Sequence, residues 1–212
     1  MLPQSPYWVT APSRREPITN YGGYTMTWEE LETSCKSCTK CELCKTRTNV
    51  VFGCGNRNAD LMFVGEAPGE NEDLSGVPFV GRAGKLFDKY LEAVGIERED
   101  VYIANMLKCR PPKNRDPLPS EQDLCIEYLR DQVRLIKPKL IVCLGRISAM
   151  RLIDPEFKIT RQHGEWFKKG GFEMCAVYHP SLLLRDPHKK EDMLTDMKAV
   201  KAKLDEIKAK AE

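Results

Sequence analysis

The sequence lacks the features that mark membrane, secreted and strongly nucleic-acid-binding chains. It has no run of about 18 apolar residues, the length that a membrane-spanning helix needs. The segment MLPQSPYWVTAP has neither the charged nor the apolar region of a secretory signal, so we expect a cytoplasmic protein. The formal net charge of +2 provides no overall field for nucleic acid. Only a local basic group at Lys108, Arg110, Lys113 and Arg115 is a candidate.

Internal repeats are also absent, and the chain length fits one domain. A chain of 212 residues with 42% hydrophobic content is long enough for one well-buried core. Residues 1–25 contain four of the 14 prolines and little hydrophobic periodicity, which predicts a loosely ordered N-terminal extension. We expect residues 26–212 to form a single α/β domain.

From residue 60 onward, short apolar runs alternate with amphipathic segments. The runs DLMFVG, VYIAN, KLIVCLG and MCAVYHP predict four strands, and the segments between them predict helices. One helix is expected to begin near Pro119 with Ser120 as its N-cap, and the last is expected from about Lys189 to Lys208. This order implies a parallel sheet. The predicted fold class is a three-layer α/β/α sandwich around a central four-stranded parallel sheet.

Polar segments directly follow three of these strands. GEAPGENED (residues 65–73) follows the first, Asn105 closes the second, and HPSLLLR (residues 179–185) follows the fourth. In open α/β sheets the ligand crevice lies beyond the carboxyl ends of the strands. We therefore expect these three segments to converge on one site.

The cysteines indicate metal or cluster ligation. There are nine, and Cys35, Cys38, Cys41 and Cys44 recur at every third residue, which is not the spacing of a secreted disulfide framework. A zinc ribbon would separate two CxxC pairs by a dozen or more residues. A two-cluster ferredoxin would need a longer last gap, a following proline and a second run.

The remaining possibility is one CxxC pair completed by distant cysteines. Cys109 follows a predicted strand and Cys125 lies in a predicted helix, so both thiols are able to face one site with the N-terminal run. Cys143 and Cys175 lie inside strand-like runs, where a small buried thiol is the ordinary explanation.

Five ordered motifs together resemble one known family. GEAPGENED, PFVGRAG, VYIANMLKCRPPKNR, LIVCLG and HPSLLLR are similar to those of type 4 uracil-DNA glycosylases, the iron–sulfur branch of their superfamily. The resemblance runs from about Cys35 to the C-terminal helix. It implies a DNA glycosylase that flips uracil out of DNA and hydrolyses its N-glycosidic bond in base excision repair, leaving an abasic site. It also implies a 4Fe-4S cluster and, as partner, uracil-containing DNA, single- or double-stranded. We expect a monomer and no membrane partner.

The resemblance assigns catalytic roles to two residues. Glu66 is expected to position or activate the attacking water and to favour an oxocarbenium-like state. His179 is expected to donate to uracil O2, where negative charge develops as the base leaves. His163 and His188 match no catalytic position and are expected at the surface.

Base recognition is expected from a second set of residues. Phe79 would stack on the flipped base, and the amide of Asn105 would pair with uracil N3–H and O4. Glu72 is expected to crowd the 5 position and so to disfavour thymine, and Ala67 belongs to the same substrate-binding set. For DNA contact, the resemblance implies Ser181 at a phosphate and Leu183, Leu184 and Arg185 at the gap left by the flipped nucleotide. Core packing is the alternative for one of the two leucines.

The resemblance also implies the cluster ligands, Cys38, Cys41, Cys109 and Cys125. Cys35 and Cys44 are additional to this pattern. Since hydrolysis needs no redox step, the cluster is expected to hold the N-terminal segment and the loop at residues 108–115 in place.

Two alternative functions follow from different features. A covalently trapping relative would carry a basic, His-containing insertion after the second strand, and LKCRPP contains no His. A non-catalytic iron–sulfur module that binds DNA or associates with a polymerase would leave the site residues unexplained. Release of free uracil separates an enzyme from such a module.

Overall fold

The computed structural model describes residues 26–210. The extension expected at residues 1–25 lies outside the described residues. Within the described chain, strands and helices alternate as the hydrophobic pattern indicates.

One six-stranded sheet forms the centre of the domain. Its strands are β1 (Cys54–Gly55), β2 (Leu61–Gly65), β3 (Tyr102–Asn105), β4 (Leu140–Leu144), β5 (Trp166–Lys169) and β6 (Phe172–Val177), in the order β1-β3-β2-β4-β6-β5. The four central strands are parallel, whereas β1 and β5 pair antiparallel at the edges. The predicted four-stranded parallel sheet is confirmed as the central part, and the two edge strands were not predicted.

Eight α-helices accompany the strands in the described chain. They are α1 (Trp28–Lys36), α2 (Glu70–Ser75), α3 (Arg82–Ala93), α4 (Pro119–Ile136), α5 (Arg146–Leu152), α6 (Ile159–Gln162), α7 (Pro180–Leu183) and α8 (Lys190–Ala209). The expected N-cap at Ser120 is wrong. Leu118 is the N-cap and Pro119 occupies the first helical position, where its fixed φ and missing N–H are tolerated.

The sheet is buried on both faces, which confirms the three-layer sandwich. Side chains of α4 and α5, including Leu129 and Leu152, pack on one face. Side chains of α3 and α8, including Phe87 and Met197, pack on the other. All five residues of β2 and of β4 are buried, as expected for parallel strands between two helical layers. No helix in residues 26–210 is long and apolar enough to cross a membrane.

The sheet register places the polar segments together at the carboxyl ends of the four parallel strands. Gly65 at the end of β2 is paired with Asn105 at the end of β3. Leu144 at the end of β4 is paired with Val177 at the end of β6. Because these four strands are parallel and end at the same level, the residues that follow them meet in one place.

Candidate active site and cysteine cavity

One crevice at the carboxyl edge of the sheet gathers most of the predicted site residues. Those that line it are Glu66, Ala67, Glu72, Phe79, Asn105, His179, Ser181 and Arg185. The convergence expected from the strand-end rule is therefore found. Leu183 and Leu184 are not part of the lining, which includes Leu182 instead.

Asn105 presents an unpartnered acceptor to this crevice. The residue is buried, and its Oδ1 has no hydrogen-bond partner. A buried polar atom without a partner costs about 1–3 kcal/mol. Such an atom in a ligand crevice indicates a site that a donor on the ligand would complete.

Phe79 is held in a backbone conformation that L-residues seldom adopt. Its φ is 54°, and its ring centroid lies 5.6 Å from that of Phe87 and 5.8 Å from that of His179. Gly84 packs so closely that a Cβ there would come 1.9 Å from the Phe79 carbonyl oxygen. Arg98 donates to the neighbouring Pro78 carbonyl at 2.8 Å. Strained backbone fixed by its surroundings is typical of ligand sites.

Glu72 holds the segment that carries Phe79. Its Oε1 accepts from the backbone N–H groups of Val80 at 2.9 Å and Gly81 at 2.8 Å. Its Oε2 accepts from Gly69 N at 3.1 Å. Both carboxylate oxygens thus fix the pocket wall. Crowding of the pyrimidine 5 position by Glu72 stays a prediction.

The hydrogen bonds of His179 determine its tautomer. The Ser181 backbone N–H donates to Nδ1 at 3.1 Å, and Ser181 Oγ lies 2.7 Å from the same nitrogen. Nδ1 therefore accepts, and in the neutral ring the proton is on Nε2. Burial, followed by the positive charge of Arg185, lowers the pKa of His179 to about 4. At neutral pH the ring is an uncharged donor through Nε2.

The surroundings of Glu66 raise the pKa of its carboxyl. Burial, then the negative charge of Asp116, raises its pKa to about 7, against a smaller opposing effect of Arg146. Asp116 and Arg146 also line the crevice and form an ion pair at 3.1 Å. The sequence interpretation missed both, although Arg146 lies two residues after the end of β4.

The DNA-contact predictions separate into exposed and buried residues. Leu184 is 40% exposed and Arg185 is exposed, whereas Leu183 is 0% exposed in the core. The prediction that Leu183 contacts DNA is therefore wrong, and the core-packing alternative holds for this leucine. His188 is exposed as expected. His163 is instead half-buried, and its Nδ1 lies 2.7 Å from Asp196 Oδ2.

A second cavity gathers six cysteines. Its lining includes the four predicted ligands together with two further cysteines: Cys35, Cys38, Cys41, Cys44, Cys109 and Cys125. Burial raises the pKa of Cys35 and of Cys125 to about 12. Within residues 26–210, no group of three or more His, Cys, Asp or Glu side chains has a geometry that would hold a single metal ion.

Two positive groups adjoin this cavity. Arg47 Nη1 donates to Cys109 Sγ at 3.3 Å. Lys108 is 1% exposed, and its Nζ donates to the Phe52 carbonyl at 3.1 Å and to Gln132 Oε1 at 2.6 Å. Lys108 therefore does not belong to a surface basic group, and that prediction is wrong for this residue.

Two other members of the predicted basic group also have partners. Arg115 is paired with Glu121 by two contacts, at 2.5 and 2.9 Å. Arg110 donates to Asn114 at 2.8 Å. Cys143 and Cys175 behave as predicted, because both are buried, in β4 and β6.

Comparison with known proteins gives a consistent result. Residues 52–202 match the model of the uracil DNA glycosylase superfamily. The chain is 49% identical over 174 residues to the type-4 uracil-DNA glycosylase of Archaeoglobus fulgidus, a match covering 77% of this chain and 86% of the relative. It is 48% identical to the type-4 enzyme of Thermotoga maritima, covering 71% and 80%. It is 42% identical to that of Sulfurisphaera tokodaii, covering 82% and 83%.

Proposed function

The chain belongs to the uracil DNA glycosylase superfamily and, within it, to the type-4 enzymes, and we propose that Glu66, Asn105 and His179 carry its chemistry. It is a DNA glycosylase that excises uracil from DNA. Excision takes the base out of the stack, recognises its edge and hydrolyses the bond between the sugar C1′ and uracil N1. Each of these steps has a residue in the crevice suited to it.

Recognition of uracil rests on the unpartnered oxygen of Asn105. Uracil N3–H is a donor that would satisfy Oδ1, and the amide nitrogen would donate to uracil O4. Cytosine has an acceptor at N3 and a donor at the 4 position, so it would leave buried groups unpaired. A site built to hydrogen-bond its ligand rejects an analogue that cannot make the bond. The buried orphan acceptor is the observation that carries this proposal.

Phe79 supplies affinity for the flipped base rather than selectivity. Stacking on an aromatic ring contributes about 1–3 kcal/mol per base and tolerates any base. The strained backbone at Phe79 and the bonds from Glu72 to its neighbours keep the ring in place before the base arrives. Preorganisation of this kind avoids an ordering cost on binding.

His179 stabilises the departing base. Rupture of the C1′–N1 bond leaves the electron pair on uracil, and the resulting negative charge is partly on O2. The neutral ring has its Nδ1 held by Ser181 and its proton on Nε2. Its Nε2–H is therefore already available to donate to that oxygen. Fixed donors directed at developing charge are a large contribution to catalysis. Ser181 thus orients the His179 ring, in addition to its predicted contact with a phosphate.

Glu66 directs water to C1′. In its ionised form the carboxylate accepts a proton from the water as the water oxygen bonds to C1′, and its negative charge favours the cationic sugar. A pKa of about 7 suits this role, because a general base works best when its pKa lies near the operating pH. Glu66 then releases this proton to solvent and the uracil anion takes one up, so the products are neutral free uracil and an abasic sugar.

The DNA duplex or single strand is expected to contact the crevice rim. Leu184 and Arg185 are exposed beside the crevice, and an apolar wedge next to a cation suits the gap left by a flipped nucleotide. Cytoplasmic location and monomeric state stay predictions.

The six-cysteine cavity fits an iron–sulfur cluster. Thiolates are the ligands of such clusters, and the positive charges of Arg47 and Lys108 beside them would offset the negative charge of a thiolate cluster. A cluster is wider than one ion, so its ligands stand further apart than those of a single metal. We propose Cys38, Cys41, Cys109 and Cys125 as the ligands of a 4Fe-4S cluster. When bound, it would cross-link residues 35–49, which we call the cysteine segment, to the loop after β3 and to α4.

Substitution at Asn105 tests the recognition proposal. With Asn105→Ala we expect single-turnover release of uracil from a uracil oligonucleotide to fall about 5- to 150-fold, the factor for about 1–3 kcal/mol of lost hydrogen bonding. Asn58→Ala, an exposed asparagine away from the crevice, is the matched control and should leave the rate unchanged. An unchanged rate with Asn105→Ala would overturn the assignment. If wild-type protein bound uracil DNA without releasing uracil, the non-catalytic alternative would replace it.

A further inference from the structure

Asp73 is a buried carboxylate that no step of the proposed reaction uses. It is 3% exposed, and both of its oxygens accept from the Thr48 backbone N–H, at 2.9 and 3.0 Å. Oδ1 also accepts from the Asn49 backbone N–H at 3.4 Å. The partners lie 24 and 25 residues earlier in the chain, so these contacts join two separate segments.

The Asn49 side chain in turn donates hydrogen bonds to the backbone of α2. Its Nδ2 donates to the backbone carbonyl of Asp73 at 2.9 Å and to that of Leu74 at 3.0 Å. The two segments are thus joined by a reciprocal set of hydrogen bonds, which we call the Asp73–Asn49 clamp. Side chains and backbone take part on both sides.

The clamp holds a short helix whose side chains make few other contacts, among them the Glu72 hydrogen bonds and the ion pair of Glu70 with Arg110. Helix α2 spans only six residues, and Asp73 is its one buried residue. Leu74, which would be a natural apolar anchor, is 63% exposed. A helix this short is not stable by itself in water and depends on tertiary contacts. In α2 the buried side chain is that of Asp73, so the clamp contacts of Asp73 are expected to stabilise the position of the helix.

The position of α2 matters because the same helix carries Glu72. The Glu72 carboxylate holds the N–H groups of Gly69, Val80 and Gly81, and Phe79 directly precedes Val80. On its other side, the clamp reaches Thr48 and Asn49, which end the cysteine segment. A continuous path therefore runs from the cysteine segment through Asn49, Asp73 and Glu72 to the ring proposed to stack on uracil.

We infer that Asp73 is a positioning residue for uracil excision, which fixes α2 against the cysteine segment so that Glu72 can hold Phe79 in its base-stacking place. This inference rests on the proposed function of the crevice. Asp73 does not touch the base, and its effect passes through Glu72. Loss of the clamp is expected to loosen the base pocket while the sheet and the cysteine cavity persist.

The experiment compares Asp73→Asn with Asn49→Ala in the full-length, cluster-loaded protein. Asp73→Asn keeps the shape but places an amide donor where backbone donors point. Asn49→Ala removes the two reciprocal bonds from an exposed side chain. Thr48→Ala is the matched control, because Thr48 donates through its backbone and keeps that N–H. The readouts are single-turnover uracil release, inhibition by free uracil, affinity for DNA that lacks uracil, and iron content.

We expect Asp73→Asn to weaken both uracil release and inhibition by free uracil by at least about tenfold, the factor for losing hydrogen bonds to a charged group. Asn49→Ala should act in the same direction, and the double variant should lose less than the product of the two single losses. Affinity for DNA without uracil and iron content should match those of wild type. Thr48→Ala should behave as wild type in every readout.

Two results would overturn the inference. One is wild-type uracil inhibition and release in both clamp variants. The other is an equal loss of affinity for DNA with and without uracil, which would indicate a general structural role. If Asp73→Asn does not fold, Asn49→Ala decides alone by the same criteria. Absence of uracil release by the wild-type protein would instead count against the proposed function, so the two failures are distinguishable.

Discussion

Asn105 Oδ1 occupies the space that a side chain on Gly65 would need. The two residues are register partners on β2 and β3, and a Cβ on Gly65 would lie 2.3 Å from that oxygen and 2.8 Å from Phe79 Cζ. Real Cβ contacts are not this short, so the missing side chain lets the amide and the ring meet at one point. Glycine at this strand end therefore shapes the base pocket by steric means.

Gly65→Ala should damage the pocket more than the fold. The added methyl group would push Asn105 or Phe79 from its place, and misplacement by about 1 Å near a reacting group can cost on the order of 100-fold in rate. Gly95→Ala is the control, because a Cβ there meets nothing within 4 Å, although its φ of +67° makes it slightly destabilising. Single-turnover uracil release and thermal unfolding check the expectation. Equal rates for the two variants would contradict it.

Leu183 and Leu184 should respond oppositely to truncation. Leu183 is fully buried, so Leu183→Ala should lower the free energy of unfolding by about 2–5 kcal/mol. Leu184 is 40% exposed, so Leu184→Ala should leave stability within about 0.5 kcal/mol while slowing uracil release from duplex DNA. Urea unfolding and duplex assays measure the two effects. A large stability loss with Leu184→Ala would show that it packs in the core.

The proposed ligand cysteines and Cys44 should respond differently to substitution. Serine at Cys38, Cys41, Cys109 or Cys125 should abolish or destabilise the cluster, seen as lost visible absorbance and iron in anaerobically purified protein. Serine at Cys44 should retain both. Retention of iron in all four ligand variants, or zinc in place of iron in the wild type, would refute the assignment.

Ionisation of Glu66 should cost stability. Its pKa is raised from 4.5 to about 7 by burial and Asp116, so the folded state favours the protonated carboxyl. Stability from this group is full below about pH 4.5 and is lost as pH rises through about 7. Glu66→Gln, which cannot ionise, should therefore raise Tm relative to wild type at pH 8 and change it little at pH 4. An equal difference at both pH values would contradict the shift.

The sequence predicts the centre of the molecule well because strand-end geometry is local. Glu66, Asn105 and His179 each follow an apolar run, and parallel strands bring such positions together whatever the side chains between them. Edge strand β1 escaped prediction because two residues show no alternation. Strand β5 was missed although Gly170 and Gly171 form a two-residue hairpin turn with positive φ, a signal that was present in the sequence.

Contacts between distant segments could not be predicted from the sequence. Lys108 stands in a basic stretch, and only the fold shows its ammonium bonded to Phe52 and Gln132 in the interior. In the sequence, Asp73 is one of three acidic residues in GENED and has no feature that sets it apart. It is buried because Asn49, from a distant part of the chain, packs against it. Local pattern says nothing about which charged side chain finds a buried partner.

The pH dependence of single-turnover uracil release tests the central role of Glu66 most directly. For wild-type protein on a single-stranded uracil oligonucleotide, the rate should rise about tenfold per pH unit below pH 7 and level off above the pKa of about 7. Glu66→Gln should be slower at every pH and should lack this rise, with iron content unchanged. A Glu66→Gln profile that keeps the wild-type rise and plateau would show that another group supplies the base.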